Sequence, residues 1–180
     1  AKGMLRYSSN ANTEYLMDLL ETENINDRIK KLGIEKHDSI YYLVSSLFVK
    51  DYLFPEKEAA NALKALQKLP EKRYIDTCRE IHEKLKKGNF EYDDLEDFGL
   101  KVQKIWSDRL PASTATEYRK LMEKLNAKEL PQNVHRLLDP VLEFIMENPQ
   151  NQPWLEHSGM KGGSTASLLT KALYAKRTNG

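Results

Sequence analysis

Two short segments, one near each end of the 180-residue chain, carry side chains suited to holding and activating a small polar substrate. Tyr7-Ser8-Ser9-Asn10 sets two hydroxyls and a carboxamide directly before an expected helix. Serine and asparagine are favoured helix caps, and capping alone accounts for this segment taken by itself. Lys161-Gly162-Gly163-Ser164-Thr165 sets an ammonium beside two glycines and two hydroxyls. Its plain reading is a glycine turn leading into an edge strand. Its chemical reading is that glycines let a substrate backbone come close while the lysine offers a fixed positive charge to a carboxylate. Each segment is a weak signal alone; their order and separation give them weight together.

Other reactive side chains read as structural. His37, His82, His135 and His157 include no pair at metal-ligand spacing on one helix, so solvated or capping roles are expected, with neither metal nor cofactor. His82-Glu83 lacks the second histidine of a zinc-protease helix. His157 lies close to Lys161 in sequence and is still read as non-catalytic. The acidic run from Glu91 to Asp97 has oxygen ligands without the calcium-loop pattern, which suits a solvated face. Cys78 is the single cysteine, which excludes an intrachain disulfide and any multi-cysteine zinc or iron–sulfur site.

The elements that must position the two segments read as helix after helix from about residue 12 to residue 147. Asn12 to Leu20 puts Tyr15, Leu16, Leu19 and Leu20 on one face. Asn24 is the expected cap of a short helix bearing Ile25, Ile29 and Leu32, with Gly33 as its left-handed exit. Ser39 to Leu53 is the most apolar run and is expected to be the most buried helix, with Tyr41 and Tyr42 as core aromatics. Phe54-Pro55 breaks it, and a helix with acids first and lysines last follows up to Pro70. The next helix carries Tyr74, Cys78, Ile81 and Leu85 on one stripe. A further helix over Tyr92 to Trp106 is interrupted by Gly99. Thr114-Ala115-Thr116-Glu117 fits a reciprocal capping box, opening a helix that buries Tyr118, Leu121, Met122 and Leu125. The last helix spans Gln132 to Glu147, bent or broken at Pro140.

The pattern changes at Trp154. Residues 1–153 read as a helical unit, and 154–180 as a glycine-containing segment followed by a run suited to a strand. That run ends on Asn179-Gly180, a two-residue hairpin signal with no returning strand. Either the tail is disordered, or the chain stops inside a sheet that a longer parent completes; the second reading is preferred. No apolar stretch approaches the roughly 20 residues needed to cross a bilayer. Lys+Arg 28 against Asp+Glu 27 leaves a net charge of +1, which disfavours a nucleic-acid partner held by bulk positive charge.

Taken in order, Ser8-Ser9-Asn10 and Lys161-Gly162-Gly163 resemble the second and third signature motifs of the class A β-lactamase and penicillin-binding protein family of serine hydrolases, S-D-N and K-T-G. SSNANTEYLMDLL followed by INDRIKKLGI is similar to the helix, turn and helix after S-D-N in the class A enzymes, and RLPASTATEYRKLMEKLNAKELP to a later loop and leucine-rich helix. Trp154 stands a few residues before the lysine motif, as an aromatic often does in the family. The likeness covers most of the chain, least over residues 40–105. It implies a mostly α chain: the helical subdomain of an α+β lactamase- or transpeptidase-like fold, with a C-terminal strand in an incomplete antiparallel sheet. It implies that Ser8 relays a proton toward the leaving nitrogen and that Asn10 binds a substrate amide. Lys161 would hold the substrate carboxylate and acidify Ser8. Gly163 would keep the strand edge open, the backbone N–H of Ser164 would form half of an oxyanion hole, and the Ser164 or Thr165 hydroxyl would assist the carboxylate.

The substrate implied is a small molecule or peptide bearing a carboxylate, and the parent a bacterial periplasmic or secreted hydrolase. Three features depart from the family pattern. Only seven residues precede Ser8, where a nucleophilic S-x-x-K element should stand tens of residues upstream. The single formal match, Ser158-Gly159-Met160-Lys161, has glycines that argue against a helical turn, and Ser46 and Lys50 are spaced by four. Glycine 162 replaces the threonine of K-T-G, and the Pro55 to Asn61 segment, with Glu56 and Glu58, lacks the spacing of a deacylating glutamate. The chain alone is therefore expected to be inactive. A helical binding or scaffold domain, or a catalytically dead relative that binds a cell-wall peptide or regulator, are the competing readings.

Overall fold

A computed structural model describes residues 1–55, 58–90 and 99–178. The expected mostly helical chain with a small antiparallel sheet is what forms. Helices α1 (Lys2–Leu5), α2 (Asn10–Leu20) and α3 (Thr22–Lys31) open it. A 3-10 turn over Ser45–Phe48 runs into α4 (Val49–Leu53), followed by α5 (Ala59–Lys68), α6 (Glu71–Lys86), α7 (Leu100–Arg109), α8 (Ala115–Asn126) and α9 (Gln132–Leu142). After a second 3-10 turn at Phe144–Glu147 come β1 (Leu155–Ser164) and β2 (Leu169–Arg177), paired antiparallel from Leu155↔Arg177 to Ser164↔Leu169. The glycine-rich segment is thus itself a strand. The run after it pairs back onto that strand instead of waiting for one downstream; Asn179 and Gly180 lie outside the described residues.

Two cores hold these elements. The larger gathers Tyr41, Phe48, Val49, Leu66, Tyr74, Cys78, Ile81 and Ile105, so the predicted stripe of α6 is buried as read, with Leu85 packed at its margin. The smaller joins Leu125 of α8, Leu142 of α9 and Tyr174 of β2, with Leu5 of α1 packed against them. The start of the chain therefore docks on the same core as its end. Gly159 is required there: a Cβ at this position would lie 2.5 Å from the Tyr174 ring.

Several local expectations change. The segment from Ser39 to Leu53 is buried as expected, but only its second half is helical. Its β-branched and aromatic residues are weak helix formers, and its backbone donors go elsewhere: Ile40 N–H to the Asn26 side chain, and Val44 and Ser45 N–H to Glu14. α2 turns its predicted apolar face outward, leaving Tyr15, Leu19 and Leu20 65%, 63% and 53% exposed, and buries Met17 and Glu14 instead. α3 starts at Thr22, ahead of Asn24, while Gly33 makes the left-handed exit at φ 79°. Thr114 caps α8 by accepting from Glu117 N–H, but the Glu117 carboxylate accepts from Glu35 N–H and from Lys120, not from the cap backbone, and Tyr118 is exposed. α9 runs through Pro140 and ends two residues later, where a 3-10 turn takes over. Gly99 lies at the N-terminal boundary of α7, so the helix expected from Tyr92 begins after it; 91–98, with the acidic run, lie outside the described residues, as does Glu56.

Candidate active site

Ser8 is one of three non-glycine residues with positive φ among the described residues, at 51°, a conformation that costs an L-residue energy and is kept where the surroundings impose it. The strained residue sits at the corner between α1 and α2. Ser9, next to it, caps α2 by accepting from Asn12 N–H and from the Asn12 carboxamide at 3.3 and 3.0 Å. Of the S-S-N segment, then, the cap is Ser9; Ser8 is left facing outward and Asn10, the first residue of α2, is exposed.

Across the site, Lys161 of β1 donates from Nζ to Ser8 Oγ at 2.6 Å, joining residues 153 apart in sequence. Its other acceptor is the carbonyl of Gly162. Both are uncharged. Burial alone pushes the Lys161 ammonium below the usual lysine range, and among the described residues no carboxylate pairs with it. The pair is kept in place by a second tether: the Arg6 guanidinium grips both Glu147 oxygens at 2.6 and 2.7 Å, fixing α1 to the turn that leads toward β1. This fork–fork geometry is the strong form of an ion pair. The Glu147 carboxyl is held below its usual range by the Arg6 hydrogen bond. Neither Arg6 nor Glu147 stood out in the sequence, because nothing in their spacing links a residue before α2 to one after α9.

The glycines of the motif differ in kind. A Cβ on Gly162 or Gly163 would meet only the Thr170 carbonyl at 3.5 Å or the Thr170 hydroxyl at 3.4 Å. Packing within the chain does not demand glycine at either position, in contrast to Gly159, and both are exposed. Thr165 N–H donates to the Leu168 carbonyl in the turn, toward β2. Strand N–H groups alternate in direction, so that of Ser164 points to the opposite, unpaired edge of β1. The Thr165 hydroxyl is engaged with Ser107 Oγ of α7 at 2.7 Å and accepts from Ser167 N–H, so its observed role is to set the hairpin turn.

The remaining candidates fall into structural places. His157 Nε2 lies 3.1 and 3.0 Å from the backbone and side-chain oxygens of Asn126. His135 accepts from Leu130 N–H and pairs with Asp139, and His37 contacts the Asp38 carbonyl. Cys78 is fully buried, which pushes its thiol up and makes it inert. Ser158 is part of β1, not of a helical turn, and donates to the Tyr174 carbonyl. Ser46 accepts from Trp106 Nε1–H at 2.7 Å, and Lys50 pairs with Asp51. Glu58 immediately precedes α5, where its charge suits the helix dipole. Compared with family models, with curated proteins and with solved structures, the chain matches none.

Proposed function

We propose that this chain is part of a β-lactamase-like serine hydrolase, one that forms and breaks an acyl-enzyme on an amide or ester substrate bearing a carboxylate. The observation that carries the reading is the Lys161–Ser8 contact: a half-buried ammonium whose hydrogen-bond partners among the described residues are neutral, touching a strained serine, beside a strand edge lined by glycines that packing among those residues does not require. A cation without an anion is a carboxylate site in waiting. In the proposed mechanism Lys161 binds the substrate carboxylate and lowers the cost of charge on Ser8, which passes a proton toward the leaving nitrogen. Asn10 orients the substrate amide. The outward N–H of Ser164 and the exposed edge at Gly163 receive the acyl oxygen and substrate backbone. The nucleophile belongs to a Ser-x-x-Lys element preceding Ser8 in the parent, which by its resemblance acts in the periplasm or outside the cell.

Labelling with a fluorescent penicillin tests this in the N-terminally extended protein as encoded. Acylation is expected on a serine upstream of Ser8, at least a hundredfold slower in Ser8→Ala and Lys161→Met, with the 180-residue chain itself unlabelled. Covalent labelling within the 180 residues, or an extended protein that is never acylated, overturns the hydrolase reading. The second outcome favours a carboxylate-binding relative without catalysis.

A further inference from the structure

A second polar cluster lies away from Ser8 and Lys161, at the crossing of α2 with α6. Glu14 is buried there and accepts from Val44 N–H, from Ser45 N–H at 3.2 Å and from the Ser45 hydroxyl. With so many donors converging on it, this carboxylate faces His82 Nδ1 at 3.1 Å as an acceptor. With Nδ1–H donating to Glu14, the neutral form of His82 presents its Nε2 lone pair on the Asp18 side. Tyr42 stacks flat on the imidazole, ring centroids 3.7 Å apart and planes 3° apart, so the ring cannot turn.

Nε2 points at Asp18 Oδ1, 3.3 Å away. Atoms at that distance are placed either to share a proton, with an imidazolium donating to Asp18, or to ligate one ion together. The Glu83 carboxylate is close enough that one ligand atom each from Asp18, His82 and Glu83 lies within 4.8 Å of the others. The cation now present is the Lys86 ammonium, 2.7 Å from Asp18 Oδ1 and 3.8 Å from Glu83, on a side chain 44% exposed and free to swing out.

We propose that Asp18, His82 Nε2 and Glu83 form a binding site for a divalent transition ion of the zinc type, with Glu14 as the buried carboxylate that orients the histidine and Lys86 as the displaceable occupant. One imidazole nitrogen and two carboxylate oxygens, with a fourth position open to water, are a ligand set zinc accepts. A carboxylate behind the ligating histidine is the usual way a protein fixes the metal-binding tautomer. Spacing along a single helix missed the site because its ligands come from two helices. The legible sign was Glu14 and Asp18, one turn apart on α2 beside Met17, where acids at that spacing mark a face with work for them.

The test is zinc titration of the 180-residue chain by calorimetry in a non-chelating buffer at pH 7.5, with cobalt(II) absorption as a second readout. One ion per chain is expected, with the visible bands of a four- or five-coordinate cobalt site. Affinity is expected to fall at least tenfold in Asp18→Asn and in Glu83→Gln. Lys86→Met, which removes the competing ammonium, is expected to raise it. His82→Gln risks the fold, so the two carboxylate variants and Lys86→Met carry the decision, each checked for native circular dichroism. No binding to the wild-type chain and Lys86→Met, or binding unchanged by the carboxylate variants, overturns the site; the latter outcome means an adventitious ion only.

Discussion

Helix α2 is tied down twice, and the two junctions are made of different material. In its middle, Glu14 enters the protein, takes donors from Val44 and Ser45, and meets Nδ1 of the imidazole on which Tyr42 stacks. At its start, Ser8 meets Lys161 on the surface, and Arg6 reaches Glu147 nearby. The inner junction satisfies buried backbone donors that have no other partner, so the fold depends on it. The outer junction sets a cation against groups that are neutral among the described residues and leaves a positive-φ serine exposed, an arrangement expected to add little stability.

The sharpest way to break this contrast is to remove the central group of each junction. Glu14→Ala strips the acceptor from two backbone N–H groups and the buried imidazole and is expected to cost about 3 kcal/mol in urea unfolding. Ser8→Ala keeps the same backbone and removes one exposed hydroxyl, and is expected to stay within about 0.5 kcal/mol. Equal losses would erase the distinction between a structural and a functional end of α2.

The strand glycines give the next contrast. Gly159→Ala drives a methyl into the Tyr174 ring, 2.5 Å from its nearest atom, and is expected to lower stability by about 2 kcal/mol. Gly163→Ala, with 3.4 Å to the Thr170 hydroxyl, is expected to change stability by less than about 0.5 kcal/mol while slowing acylation of the extended protein. Thermal unfolding of the two variants side by side separates the glycine the fold needs from the glycine it does not.

Periodicity made the core of α6 legible, since Tyr74, Cys78 and Ile81 repeat on one stripe and all three are buried. It failed on α2, where apolar spacing pointed to Tyr15, Leu19 and Leu20 and the helix buried a glutamate instead. A pattern of side-chain apolarity does not register that the neighbouring segment, Ile40 to Ser45, brings backbone donors in need of an acceptor. The same cause keeps that segment from joining the expected helix: its side chains are apolar enough, but its hydrogen bonds go to Asn26 and Glu14. The two ends of the candidate site were legible as residue types, Ser8 and Lys161. What joins them, the Arg6–Glu147 fork and the packing of Leu5 on the Tyr174 core, depends on contacts between parts of the chain that share no local pattern.

A smaller effect is expected from acid. The Arg6 hydrogen bond holds the Glu147 carboxyl below its ordinary value of 4.5, so this pair contributes fully above that value. The contribution disappears as pH falls through the lowered value in the folded chain. Protection of the amides in α1 and at Ser8, taken against the intrinsic exchange rate at each pH, is expected to fall over that window. In Glu147→Gln that protection is expected to be low at neutral pH already, with no further acid step. An acid step that survives in Glu147→Gln would assign the loosening to another carboxyl.

The smallest expected change is the most telling about Lys161. Its ammonium is depressed by burial, so the folded chain binds that proton less tightly than the unfolded chain does. The sign follows: at neutral pH the charged form is a slight cost to the fold, and stability from this group rises as pH climbs through the depressed value toward the ordinary one. Lys161→Met removes both the charge and its cost, and is expected to leave urea stability within about 0.5 kcal/mol of the parent or slightly above it. A carboxylate ligand reverses the balance by supplying the missing anion. Under the proposed function a bound benzylpenicillin carboxylate raises the lysine's proton affinity, so added benzylpenicillin is expected to protect the wild-type chain against unfolding more as pH falls from 10 to 7, and to do nothing for Lys161→Met. A large loss of stability in Lys161→Met without ligand would mean the lysine is there to hold the ends together, and the surface junction would then be architecture like the buried one.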